Sequence, residues 1–208
     1  MQRLVAWAGR HPWWWLLAYL IVTGALYQSA IRLPLYAPFA IAPSELDRHI
    51  PVVPWTAAPY LSYFALMPSF VALARAHPER GRLLMAAGLC VVGNLLVNTF
   101  VPTALAEPLT LDAAGGGLLA QIVAGDTPRA ALPSGHVALP LALAVLAFGA
   151  RLPGRWIYPP WCAVMSVVVL TTKQHVLVDV VAGLAWGALA PLVTTRLTRA
   201  PEAGQMPV

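Results

Sequence analysis

Of the 208 residues, 59% are apolar and only 10% charged, against about half and a quarter in soluble domains. A soluble fold of this length hides only about 70% of the surface its unfolded chain exposes, so water cannot be the solvent for much of this chain. The net charge of +5 does not point to nucleic acid, because the basic residues are scattered between apolar stretches with no basic stripe and no interleaved aromatics.

Six apolar stretches read as helices, at 12–31, 57–74, 83–103, 135–150, 159–172 and 175–195. They are continuous, rich in Leu and Ala, and lack the period-two alternation of a β-barrel. The first is about 20 residues long, beyond the 7–15 of a signal-peptide core, and lacks a small-x-small exit, so it reads as a retained helix. Trp13, Trp14 and Trp15 at its start suit an interfacial anchor. Cys90 and Cys162 lie inside apolar stretches, in neither metal-ligand nor disulfide spacing, and read as small core residues. The connection 32–56 is Pro-rich and ends in Ile50-Pro51-Val52-Val53-Pro54-Trp55. The longest, 104–134, carries Gly115-Gly116-Gly117 and a short helix expected at 118–123, whereas the connection 171–174 is tight.

Of the 13 Lys and Arg residues, only Arg32, Arg48, Arg129 and Lys173 fall on one side of a six-span topology. The excess on the other side puts both termini in the cytoplasm under the positive-inside tendency. The expected fold class is therefore all-α, a polytopic membrane protein of six transmembrane helices forming a single domain over 1–208. The expected location is an inner (plasma) membrane of bacterial type.

His11, His49 and His77 lie in basic or polar connections and read as surface residues. His136 and His175 sit at the outer mouths of helices, where an ionisable group is a functional candidate. His136 closes Leu132-Pro133-Ser134-Gly135-His136, which opens the fourth helix, and a helix N-terminus offers unpaired N–H groups to an anion. Ser134 can cap that helix or donate to a phosphate oxygen, and Gly135 lets a ligand approach the backbone. His175 and Asp179 are four apart at the expected start of the sixth helix and share a face; the carboxylate can hold one ring N–H and leave the other nitrogen as nucleophile or base. Lys173, the chain's one lysine, and Arg129 are cations beside the two histidines and suit an anionic ligand such as phosphate.

Pro133-Ser134-Gly135-His136 followed by His175-x-x-x-Asp179 resembles the type 2 phosphatidic acid phosphatase superfamily, over residues 45–190. Thr172-Lys173-Gln174-His175-Val176-Leu177-Val178-Asp179 and Asp47-x-x-Ile50-Pro51-x-x-Pro54-Trp55 are similar to the branch that includes inositol-phosphorylceramide synthases. The resemblance implies a helical bundle of that type, with His175 as the nucleophile that becomes phospho-histidine. Asp179 orients it, and His136 is the acid that protonates the leaving oxygen and later activates water. Ser134, Gly135, Lys173 and Arg129 are the expected phosphate-binding residues. No cofactor or metal is implied, and no carboxylate cluster suits magnesium.

The chain departs from the family's pattern at two places. No Arg-Pro dipeptide of the first motif occurs, Glu107 stands about where arginine is expected, and Val168 and Val169 replace the Ser-Arg start of the third motif. Fewer cations favour a phosphodiester over a dianionic monoester. The expected activity is hydrolysis of a membrane lipid phosphate ester at the outer face. Head-group transfer between phosphodiester lipids is the first alternative, and non-catalytic binding or transport of a lipid phosphate the second.

Overall fold

A proline at the first helical position has no N–H to orphan and already holds the helical φ, so the chain breaks at His11 and restarts at Pro12. In the computed structural model, which describes residues 1–33 and 35–199, helix α1 (Gln2–Arg10) precedes that break and α2 (Pro12–Arg32) follows it. Sequence patterning had not separated α1, whose nine residues are too few and too mixed for a span. Trp13 and Trp14 stay exposed, but Trp15 turns into the core, so two of the three tryptophans, not three, are free to anchor.

Helix α3 (Glu45–His49) is followed by a stretch from Pro54 to Ala74 that is one 3-10 turn (Pro54–Thr56) and two helices, α4 (Ala57–Leu61) and α5 (Tyr63–Ala74). The break falls at Ser62, whose Oγ takes the indole N–H of Trp161 at 2.9 Å. Helices α6 (Arg80–Phe100), α9 (Gly135–Gly149), α10 (Tyr158–Thr171) and α11 (Leu177–Leu197) complete the bundle; α7 (Leu111–Ala114) and α8 (Gly117–Gly125) lie between α6 and α9. Among the described residues four stretches are long and apolar enough to cross a membrane: Pro12–Arg32, Pro54–Ala74, Arg80–Phe100 and Leu177–Leu197. Helix α9 is a shorter apolar helix. The chain is predominantly helical over the described residues, and these four stretches fit a membrane location. Cys90 and Cys162 are buried free thiols.

The long connections are not irregular. β1 (Phe39–Ile41) pairs in parallel with β2 (Thr103–Leu105), Phe39 opposite Thr103, and Ala104 makes an antiparallel bridge to Arg129. Three-residue strands carry too little alternation to be read from sequence. The pairing ties the segments after α2, after α6 and before α9 into one cap at one end of the bundle. Helix α1 packs at the opposite end, against the start of α6, where a Cβ on Gly81 would run into the carbonyl oxygen of Val5.

Helix α9 is central, with nine buried side chains, and packs on α6, α10 and above all α11. One core joins Trp15, Phe70, Leu84 and Leu143; a second joins Tyr60, Val137, Met165, Val169 and Val180. The contact between α9 and α11 is made at backbone level. A Cβ on Gly183 would stand 2.7 Å from the carbonyl oxygen of Ser134, and one on Gly187 2.6 Å from that of Ala138. Small residues four apart are the usual means by which helices in an apolar solvent approach. Gly187→Ala should therefore cost about 1–3 kcal/mol through overpacking, read as a lower thermal midpoint in detergent. Gly24→Ala, where nothing lies within 4 Å of the added carbon, is the matched control and should not lower it.

Candidate active site

The close approach of α9 and α11 sets the site. Ser134, N-cap of α9, donates its backbone N–H to the carbonyl of Asp179 at 3.1 Å, so the two helix beginnings are joined through main-chain atoms. The loop before it follows a cis Leu132–Pro133 bond. It is held by Asn94, whose Nδ2 donates to the Pro133 carbonyl at 3.3 Å, and by Thr103, whose Oγ1 accepts the Leu132 N–H at 2.9 Å.

His136 then projects between two tyrosines. Its ring stacks on Tyr60 with centroids 4.4 Å apart and lies tilted against Tyr63 at 4.3 Å. Its centroid is 5.8 Å from that of His175, so one phosphorus atom can lie within reach of both imidazoles.

His175 does not lie in a helix, in contrast to the sequence reading that started the sixth helix there; α11 begins at Leu177. The backbone N–H groups of Gln174 and His175 both turn back to the Val169 carbonyl, each at 3.1 Å, which closes α10 and lifts His175 off the helix axis. Lys173 supports that turn with φ of +56°, in the left-handed region where side chains other than glycine are strained. The i,i+4 contact survives this change: His175 Nδ1 is 3.2 Å from Asp179 Oδ2. A carboxylate only accepts, so it holds the proton on Nδ1 and leaves the Nε2 lone pair free. Asp179 is fully buried, and the same Oδ2 accepts the Val176 N–H at 3.1 Å.

At the start of α9 three donors lack a protein partner among the described residues. Ser134 is fully buried with its Oγ unpaired, and the backbone N–H groups of Gly135 and His136 find no acceptor. Together they form a donor set of the kind an anion takes at a helix N-terminus.

A cavity of about 590 Å³ opens from the two histidines into the bundle. Near the histidines its walls include Tyr27, Asn98, Asp126 and Arg129; further in they are apolar, with Met67, Val91, Leu139 and Ala142. Asp126 accepts the Tyr27 hydroxyl at 2.6 Å.

The structure brings His136, His175, Asp179, Ser134 and Gly135 together. The two expected cations are placed differently. Arg129 lines the cavity, but its Nη1 donates to the Ile31 carbonyl at 2.9 Å. The Lys173 ammonium donates to the Asp47 carbonyl at 2.8 Å. Glu107 is not part of the cavity wall; it pairs with Arg48 at 3.0 Å on the exposed surface, and Asp126 is the carboxylate the cavity presents.

Residues that spacing did not single out are Tyr60, Tyr63, Asn94 and Asp126, and Asp47 stands in a motif that assigns it no role. Asn94 and Asn98 were visible as an i,i+4 amide pair inside an apolar stretch, itself a signal in a membrane helix. Compared with models of known families, with curated proteins and with solved structures, the chain finds no match in any of the three.

Asn94 gives a direct check on how the His136 loop is held. Asn94→Leu leaves the buried Pro133 carbonyl without its side-chain donor and should cost about 1–3 kcal/mol. Urea or thermal unfolding in detergent measures it, and an unchanged midpoint would remove Asn94 from the support of this loop.

Proposed function

We propose that the protein is a membrane-embedded enzyme that cleaves a lipid phosphate ester through a phospho-histidine on His175, without a metal. One observation carries the reading: an imidazole whose Nδ1 is held by a buried carboxylate faces a second imidazole across 5.8 Å, beside the unpaired donors of the α9 N-terminus. The likeness of Pro133-Ser134-Gly135-His136 and His175-x-x-x-Asp179 to the type 2 phosphatidic acid phosphatase superfamily supports the same assignment.

His175 Nε2 attacks phosphorus as the bond to the leaving oxygen breaks, and His136 protonates that oxygen. Asp179 stabilises the imidazolium that forms on His175. The Ser134 hydroxyl and the Gly135 and His136 N–H groups receive the charge that builds on the equatorial oxygens. Water then attacks phosphorus, gives its proton to His136, and the bond to His175 breaks.

The membrane arrangement in this reading has six crossings, both termini on the cytoplasmic side and the site at the outer face. The distribution of basic residues supports it. At 1.5 Å per residue, α9 and α10, with 15 and 14 residues, span only about 21–23 Å of a core near 30 Å. Their site ends therefore sit below the bilayer surface, where a lipid phosphate reaches them with its chains still in the membrane. A cysteine at the half-buried Lys173 should react with an impermeant reagent added outside intact cells; labelling only after the inner side is exposed would reverse this orientation.

Charge favours a second reading, head-group transfer, in which an alcohol replaces water in the second step. Arg129 and Lys173 are engaged by main-chain carbonyls, and Asp126 adds a carboxylate to the cavity. Such a site balances one negative charge better than two, which suits a diester. The deciding experiment incubates the purified protein with lipid monoesters and diesters and follows free phosphate and new head-group lipids. His175→Ala should lose about 10³-fold or more in turnover, His136→Ala about 10²–10⁴-fold, and acid-labile phosphate should appear on the wild type alone. Equal turnover by wild type and His175→Ala would sink the reading.

A further inference from the structure

Helix α11 begins with a structural deficit. Its N-cap residue is Val176, which has no polar side chain, so the orphan N–H groups of its first turn need partners from elsewhere. Asp179 reaches back to the Val176 N–H. The N–H of Leu177, first residue of the helix, is met by Asp47, 130 positions earlier, whose Oδ1 accepts it at 2.7 Å.

Asp47 is itself fixed. It is 5% exposed, and its Oδ2 accepts both the backbone N–H, at 2.8 Å, and the hydroxyl of Ser44. Its backbone carbonyl takes the Lys173 ammonium at 2.8 Å. One residue of the cap thus grips the nucleophile segment on both sides of His175, two positions before it and two after. A little further along, the Val53 N–H bonds the Thr171 carbonyl at 3.0 Å, so the same segment also fixes the end of α10. Burial pushes the Asp47 carboxyl up, but the Ser44 and Leu177 hydrogen bonds and the nearby Lys173 charge outweigh it and hold the group below its usual range.

The carboxylate also decides which helix end is open to an anion. Two helix N-termini converge on the site, and each carries partial positive charge. Asp47 occupies that of α11, whereas that of α9 keeps its unpaired donors. We infer that Asp47 is a positioning residue for His175: it caps α11 from outside, fixes the 173–177 segment, and leaves the α9 N-terminus as the phosphate site.

This rests on the nucleophile assignment above, so the test carries one readout that does not depend on turnover. In full-length protein, Asp47→Ala should lower kcat by about 10–100-fold, as misplacement of a reacting group does, and leave KM nearly unchanged. Asp47→Asn keeps an oxygen for the Leu177 N–H and should recover most of the rate. Lys173→Met, which releases the other grip, should lower kcat rather than raise KM; a raised KM with unchanged kcat would instead make Lys173 a phosphate ligand and remove it from the clamp.

Independently of activity, hydrogen exchange at the Leu177 amide should be slow in wild type and Asp47→Asn and fast in Asp47→Ala. The imidazole nitrogen signal of His175 should lose its Asp179-bonded form only in Asp47→Ala. If Asp47→Ala does not fold, Ser44→Ala, which frees the carboxylate from one side, must show the same changes in smaller measure. Normal kcat and an unchanged His175 signal, with only a lower thermal midpoint, would overturn the inference. No turnover by wild type on any lipid, together with Leu177 exchange that still follows Asp47, would instead remove the nucleophile reading and keep the clamp.

Discussion

Helices α9 and α11 meet at their backbones, and the distances between the site residues follow from that contact. With any side chain at Gly183 or Gly187 the carbonyls of Ser134 and Ala138 would be pushed away. Hydrophobic burial cannot drive such an approach where the surrounding solvent is itself apolar; close packing and interhelical hydrogen bonds must do so. The Ser134–Asp179 main-chain bond then fixes the two helix beginnings in register. His136 and His175 are neighbours because the chains that carry them have no side-chain layer between them at this level.

Non-helical backbone is tolerated deep in a membrane protein only where its polar groups are satisfied or line a cavity. The loops around the site follow that rule closely. Leu132 finds Thr103, Pro133 finds Asn94, Val176 finds Asp179 and Leu177 finds Asp47. Against this background the few unmet donors stand out by position. The Ser134 hydroxyl and the N–H groups of Gly135 and His136 are adjacent in sequence and next to both histidines. Two acceptors are also buried without a partner, Oδ1 of Asn98 and Oδ1 of Asp179, and in the proposed reaction these groups lie where a ligand would complete the hydrogen bonding.

The long apolar helices were legible because 20 residues of continuous hydrophobicity leave little else for the chain to do. Their ends were less so. His175 falls in a turn because Gln174 and His175 fold back onto Val169, a tertiary choice that i,i+4 spacing alone cannot reveal. Yet the His175–Asp179 contact was anticipated correctly, since an extended step before a helix and a first helical turn place a side chain near the same carboxylate. Asp47 belongs to a short motif, but nothing local in it says that its carboxylate serves a helix 130 positions away. Lys173 and Arg129 were read as phosphate ligands from their charge. Whether a cation is free depends on which carbonyls stand near it, and Ile31 and Asp47 come from distant parts of the chain.

Charge placement connects the clamp to the choice of substrate in the proposed reaction. A helix N-terminus is worth about half a positive charge, and of the two that converge here only that of α9 is left for the ligand. Arg129 adds a full charge at the cavity wall, and Asp126 opposes it from the same wall. The balance is close to one positive charge or below, because the imidazolium that His136 must bring to leaving-group protonation is offset by the buried Asp179 carboxylate. A phosphodiester meets that balance; a dianionic monoester exceeds it and would need a cation released from a main-chain carbonyl. If Lys173 were that cation, it would leave Asp47 and loosen the segment that aims His175. Binding a second negative charge and holding the nucleophile would then compete for the same ammonium group, and this coupling is the physical reason to place diester chemistry beside hydrolysis for this site.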